Sequence, residues 1–270
     1  MRRRWIRAGF VATAVAAMLL IAQGAYASTP LPDGSVVNAR IAPVTYTFST
    51  TTHYWSVIGV ATTVDYDLAL LDSSGNQLAA SNYGTGVTDF IAINNNLRPL
   101  GSYSASVTHY SGTGSFWVQQ VQGHSVTTLP ASANDGVSGP GDPDLAFSAV
   151  NSNNVVSVSD IYLTAGQKFW VNDPTTGVNF FLLESNPADS TTFIRTRAQA
   201  TNIAGTRVAQ GCTLYTANYT GWHGWVEVNP QQPYATNPQE GTANAIVAYD
   251  PARPNTCPQR NFPSPTPPGP

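Results

Sequence analysis

The stretch VDYDLALLDSSGNQL, residues 64–78, brings Asp65, Asp67 and Asp72 close together in a chain of which only 10% is charged. On an extended strand, side chains two apart share a face at a spacing of about 7 Å. Asp65 and Asp67 therefore form a carboxylate pair from which a structural calcium site could be built. Calcium takes roughly six to eight oxygens at about 2.4 Å, so neighbours such as Asp89 or Asn94 to Asn96 would have to complete the shell. The same alternation sets Val64, Tyr66, Leu68 and Leu70 on the opposite, apolar face. On a second reading the aspartates mark the solvent side of a strand, and Asp72-Ser73-Ser74-Gly75-Asn76 is the hairpin turn after it. No EF-hand loop or nonapeptide calcium repeat is present. Asp135, Asp142 and Asp144 form another acidic cluster in NDGVSGPGDPD, 134–144, where the density of Gly and Pro points to a turn-rich connection. Structural calcium is the one cofactor suggested, and none is required.

A different chemistry is concentrated in NYTGWHGW, 218–225, where Tyr219, Trp222, His223 and Trp225 are interleaved with glycines. Flat aromatic rings on a β-surface stack on sugars or bury into a partner, which makes these four the candidate ligand-binding residues. If the segment is extended, Tyr219, Gly221, His223 and Trp225 share one face and Trp222 points the other way. A turn at 220–224 would instead put Trp222 at a tip. The competing reading makes Trp225 a core residue and Trp222 the cap of a sandwich edge. Catalytic patterns are missing. His53, His109, His124 and His223 sit in no ligand-spaced motif, and no Gly-x-Ser-x-Gly elbow occurs. Asp65 and Asp67 nominally match a glycosidase carboxyl spacing, but such acids usually come from different strands. The chain is expected to be non-enzymatic.

The elements that must carry these residues are strands. Short β-branched and aromatic runs recur between Gly, Pro, Asn and Asp: VTYTFST (44–50), YWSVIGVAT (54–62), DFIAINN (89–95), SYSASVTHY (102–110), SFWVQQV (115–121) and ANAIVAY (243–249). The expected fold class is all-β, with two tandem small antiparallel β-sandwich domains of jelly-roll type. The predicted boundaries are a first sandwich at 38–123, a linker at 124–143, a second sandwich at 144–261 and a Pro-rich tail at 262–270. A weak internal echo supports the division: LALLDSS (68–74) aligns with FFLLESN (180–186), and YSGTGSFWVQQV (110–121) with YTGWHGWVEV (219–228). Cys212 and Cys257 are expected to pair as a disulfide within the second half, worth about 4 kcal/mol on the chain-entropy account.

The first 27 residues read as a secretory signal peptide. Arg2, Arg3, Arg4 and Arg7 precede an apolar run from Val11 to Ala22, and Ala25-Tyr26-Ala27 places cleavage near Ala27-Ser28. The arginine pattern is also that of a twin-arginine signal. The product is expected to be secreted, without a membrane span. Four of the 12 basic residues and none of the 15 acids lie in that segment, leaving eight against fifteen, a net charge near −7. Nucleic acid is an unsuitable partner for such a chain. Lys168 is the only lysine, so the strand edges have little charge to keep copies apart.

Asp65-Tyr66-Asp67-Leu68, the turn at Gly75 and Gly101-Ser102-Tyr103 running into a Ser/Gly hairpin resemble the bacterial pre-peptidase C-terminal domain over roughly residues 40–123. The second half, which lacks the aspartate pair, resembles a diverged copy. The resemblance implies a compact β-sandwich that serves as a non-catalytic accessory. The expected function is extracellular or cell-envelope binding of a polysaccharide, protein or surface. The alternatives are a self-assembling extracellular subunit and a secreted hydrolase without a recognisable motif.

Overall fold

The computed structural model describes residues 28–39, 43–123, 146–150, 155–172, 179–202, 212–228, 242–248 and 251. The signal-like segment 1–27, the linker at 124–143, the 134–144 acidic cluster, the tail at 262–270 and Cys257 lie outside them. Among the described residues nine strands precede position 124: β1 (Thr29–Pro30), β2 (Val36–Ala39), β3 (Val44–Ser49), β4 (Trp55–Thr62), β5 (Asp65–Leu71), β6 (Gln77–Ser81), β7 (Asp89–Asn94), β8 (Ser102–Ser111) and β9 (Phe116–Gln122). Nine follow it: β10 (Ala146–Val150), β11 (Val156–Leu163), β12 (Lys168–Asn172), β13 (Asn179–Leu183), β14 (Ile194–Thr196), β15 (Thr201–Asn202), β16 (Cys212–Thr216), β17 (Gly221–Val228) and β18 (Thr242–Ala248). No α-helix occurs among the described residues, only a 3-10 turn at Ser190–Thr192.

Alternating side chains need a partner layer for each apolar face, and the strands meet this with four sheets. Sheet A has the order β1-β3-β8-β5-β6, sheet B β14-β7-β4-β9-β2, sheet C β11-β17-β13-β15 and sheet D β10-β18-β12-β16. All pairings are antiparallel except that of β1 with β3. Sheets A and B enclose one core, with Tyr46, Tyr66, Leu68, Leu70, Ile58, Ile91, Phe116 and Val118 buried in it. Sheets C and D enclose another around Phe169, Leu182 and Trp225. The fold is thus all-β, two antiparallel sandwiches.

The sandwiches are packed on each other through a third core between sheets B and C, here called the seam. It contains Trp55, Val57, Ala61, Phe90 and Ala92 from B, and Val156, Val158, Phe181, Leu183, Val226 and Val228 from C. Strands β4 and β7 are consequently buried along their whole length. Close approach depends on glycines, Gly59 and Gly224 among them. A methyl group on Gly59 would sit 2.6 Å from Val156 Cγ1, and one on Gly224 would sit 2.9 Å from the Trp55 ring.

Polar bonds fix one sandwich on the other. The Gln119 Oε1 atom accepts from the backbone N–H groups of Val155 (2.7 Å) and Val156 (3.1 Å). The backbone N–H of Trp55 donates to Asp160 Oδ1 at 2.9 Å, and its indole N–H donates to the Trp222 carbonyl at 2.9 Å. Strands are also exchanged. Although β14 follows the linker in sequence, it pairs with β7 at the edge of sheet B, Ile194 opposite Ile93. Next to it the Arg197 guanidinium donates to the Thr88 carbonyl at 2.7 Å and lies against the rings of Phe181 and Tyr83. The first sandwich is therefore completed by three residues from beyond 124–143.

The internal echo has a mixed structural meaning. The 68–74 stretch lies on β5 in outer sheet A, whereas 180–186 lies on β13 in inner sheet C. The other pair corresponds better, because β8 to β9 and β16 to β17 both lead from an outer sheet to an inner one.

Candidate binding surface

The acidic stretch forms the strand and turn that alternation predicts. Tyr66, Leu68 and Leu70 are buried, and Asp67, Ala69 and Leu71 are half-buried on the other face. After β5 the turn is closed by Asp72, whose Oδ1 accepts from Ser74 N–H (2.8 Å) and Asn76 N–H (2.9 Å), while Asn76 Nδ2 donates to Oδ2 (3.0 Å). Gly75 has a φ of 83°, which a side chain would disfavour.

Asp65 lies at a bulge in the pairing of β5 with β8 and is buried, and Asp67 faces Thr108 across the ladder. Burial and the Asp65 charge raise the Asp67 carboxyl above its usual range. The side chains that a calcium ion would recruit here are tied into the fold, although among the described residues Asp89 Oδ2 and Asn95 Oδ1 accept no hydrogen bond. Fully buried Asp89 accepts from Ser81 Oγ (2.6 Å) and Tyr83 N–H (3.1 Å), and burial pushes it up to about 6. Asn94 Oδ1 accepts from Asn96 N–H, and Asn95 Nδ2 donates to the Tyr54 carbonyl and Ser56 Oγ. Among the described residues, no three His, Cys, Asp or Glu side chains gather as a metal site.

The aromatic stretch forms β17 and the bend before it. Alternation operates as predicted: His223 and Trp225 face sheet D, and Trp222 faces sheet B. Trp225 is 1% exposed and stands edge-on to Phe169 at 5.4 Å, so it offers no surface to a ligand. His223, 2% exposed, faces acceptors with both ring nitrogens: the Gly221 carbonyl at 2.9 Å and Glu184 Oε1 at 3.1 Å. An imidazolium satisfies both contacts; a neutral ring satisfies only one. Burial pushes Glu184 up, but hydrogen bonds from His223 and from Asn218 (backbone N–H, 2.9 Å; Nδ2, 2.6 Å) outweigh it and hold the carboxyl below its usual range. This cluster links β13, β17 and the bend. Tyr219, in that bend, is half-buried.

Of the four predicted binding residues, Trp222 takes part in a surface feature. It sits at the mouth of the seam, half-buried, with Tyr54 edge-on at 4.9 Å and Tyr162 edge-on at 5.6 Å. Tyr162 is its register partner on β11 and is 53% exposed. Tyr54 comes from just before β4, so the three rings join both sandwiches. Tyr54 and Tyr162 were not singled out by sequence. The available signal was their position at strand ends, in HYWSV and SDIYLT. The predicted Cys212–Cys257 disulfide has Cys212 on β16, but its other half is outside the described residues. Ser111 lies opposite Asp65 in the β5–β8 ladder, and the His109 ring bonds the Gly112 carbonyl at 2.8 Å.

No family model and no curated protein matches the sequence. Solved structures of similar outline include a candidate secreted protein of Eubacterium rectale (10% identity, 83% of this chain and 82% of that one, TM-score 0.26). Others are a triple jelly-roll turret protein of an archaeal virus (12%, 78% and 58%, TM-score 0.25) and the ANX1 ectodomain of Arabidopsis thaliana (8%, 88% and 92%, TM-score 0.24). At these TM-scores the likeness has no bearing on function.

Proposed function

We propose that the chain is a non-catalytic extracellular binding module that takes a polysaccharide on the Tyr54–Trp222–Tyr162 patch. The observation that carries this reading is the exposure of Tyr162 beside two further rings at the mouth of the seam. Aromatic rings held by neighbouring rings offer a flat, rigid, amphipathic surface of the kind that stacks on sugar C–H groups. A non-catalytic role is supported by the buried His223–Glu184 pair, which is occupied with backbone groups and Asn218. The resemblance of the first half to the pre-peptidase C-terminal domain fits the same role. Among the described residues no helix is long and apolar enough to cross a membrane.

The test is retention on insoluble polysaccharides by the full chain and its Tyr162→Ala variant. Tyr162 is the cleaner target, because Trp222 also packs into the seam. Loss of retention with an unchanged Tm is the expected result. Absence of retention in the wild type, or equal retention in both, would overturn the reading.

A further inference from the structure

A separate cleft, of about 480 Å³, lies where the Asp72 turn, the β7–β8 connection and residues of the second half come together. Its walls include Leu97, Leu100, Tyr103 and Phe193, with Arg98 and Asp72 as the charged groups. The size is that of a small-molecule site, for which about 300–1,000 Å³ is usual.

The two charges are in different states. Asp72 is occupied, because both its oxygens accept hydrogen bonds within its own turn. Arg98 is half-buried, and among the described residues its guanidinium makes neither a hydrogen bond nor an ion pair. Its backbone is fixed by donation to the Asn94 carbonyl at 3.0 Å. Tyr103 is turned from the cleft chemistry by donating its hydroxyl to the Pro99 carbonyl at 3.2 Å. What remains is an unoccupied fork of N–H donors beside apolar walls, one of which, Leu100, is 38% exposed. A guanidinium fork matches a carboxylate in geometry and charge and grips it with two parallel hydrogen bonds.

We infer that this cleft binds a carboxylate carried on a small apolar or aromatic body. Arg98 takes the carboxylate, and Leu97, Leu100 and Phe193 take the body. Asp72, the negative charge of the lining, repels a second anionic group and so selects against dianions.

The experiment is calorimetric titration of the full chain with phenylacetate, its neutral amide phenylacetamide, and acetate. Saturable phenylacetate binding is expected, with the amide and acetate each weaker by about tenfold or more, the worth of a charged bidentate contact or of the apolar body. Arg98→Gln should lose about tenfold at an unchanged Tm, since the guanidinium has no internal partner to orphan. Leu100→Ala should weaken phenylacetate while leaving acetate as it was. Tyr162→Ala should leave phenylacetate binding intact, which separates this site from the polysaccharide patch. The inference is overturned if phenylacetate does not bind at about 10 mM, a very weak affinity, if acid and amide bind alike, or if Arg98→Gln binds as the wild type does.

Discussion

Sheet B forms a wall of two cores, and the cores are built differently. The space between A and B is filled mainly by apolar side chains that come almost entirely from residues 44–118, with the Ser81–Asp89 hydrogen bond buried between β6 and β7 and with Tyr66 and Tyr103 sending their hydroxyls to the Gly114 and Pro99 carbonyls at the margin. The space between B and C joins residues from the two halves of the chain, and its polar groups bond one sandwich to the other. Asp160 is fully buried there, with one oxygen bonded to Trp55 N–H and the other, Oδ2, without a hydrogen-bond partner among the described residues. Apolar packing between two flat layers fixes how far apart they lie but tolerates sliding. The Gln119, Trp55 and Asp160 bonds each have one permitted geometry, and thereby set the register of the second sandwich on the first.

The largest test of that contrast is a matched pair of truncations. Trp55→Ala in the seam and Phe116→Ala in the A/B core should each cost about 3–5 kcal/mol. Both should shift a single denaturant transition, read by circular dichroism and by fluorescence. A curve split in two by Trp55→Ala alone would show that the sandwiches unfold independently.

Next, Arg197→Gln removes a bond to the Thr88 carbonyl and the contacts with Phe181 and Tyr83, at an expected cost of about 2 kcal/mol in the same assay. An unchanged midpoint would remove Arg197 from the seam's account. Smaller still, Gly59→Ala should cost about 1–2 kcal/mol by pressing a methyl group on Val156. Gly84→Ala, which meets nothing within 4 Å, should leave the midpoint in place.

The subtlest test is of slope. Burial raises the Asp160 carboxyl well above its usual 3.8, against the lowering effect of the Trp55 N–H. Between 3.8 and that raised value the folded chain therefore holds a proton that the unfolded chain has released. The stability this contributes is fully present below pH 3.8 and is lost as pH rises toward the folded value. Asp89 acts in the same direction, its window ending at about 6. Asp160→Asn should be nearly silent at pH 4 and flatten the fall of stability above it, measured as denaturation midpoints from pH 4 to 8. An unaltered slope would show that Asp160 is ionised in the fold.

Much of this architecture was legible. The runs at 44–50, 54–62 and 89–95 became β3, β4 and β7 within a residue or two, because β-branched runs between turn formers have few other solutions. The opposite facing of Trp222 and Trp225 followed from a period of two. The seam was visible only in part: YWSVIGVAT and DFIAINN are apolar without alternation, the mark of strands covered on both faces. What covers them is not local information. Nor could Asp160 be recognised, since VSVSDIYL reads as an ordinary half-exposed strand until a second sandwich closes over it. Ile194–Thr196 is too short to carry any periodicity, and its pairing depends on an edge about 100 positions upstream. Arg98 was passed over because a single arginine after NNNL gives no pattern.

The placement of β14 also has a consequence in time. During synthesis, β7 emerges long before its edge partner does. A chain growing at about 5–20 residues per second leaves that edge bare for about 5–20 seconds, with unpaired N–H and C=O groups open to any passing strand. The nascent first sandwich is therefore an unfinished object, and a ribosome stalled between residues 123 and 194 would display a strand-acceptor to its neighbours. The arrival of three residues, Ile-Arg-Thr, ends that exposure.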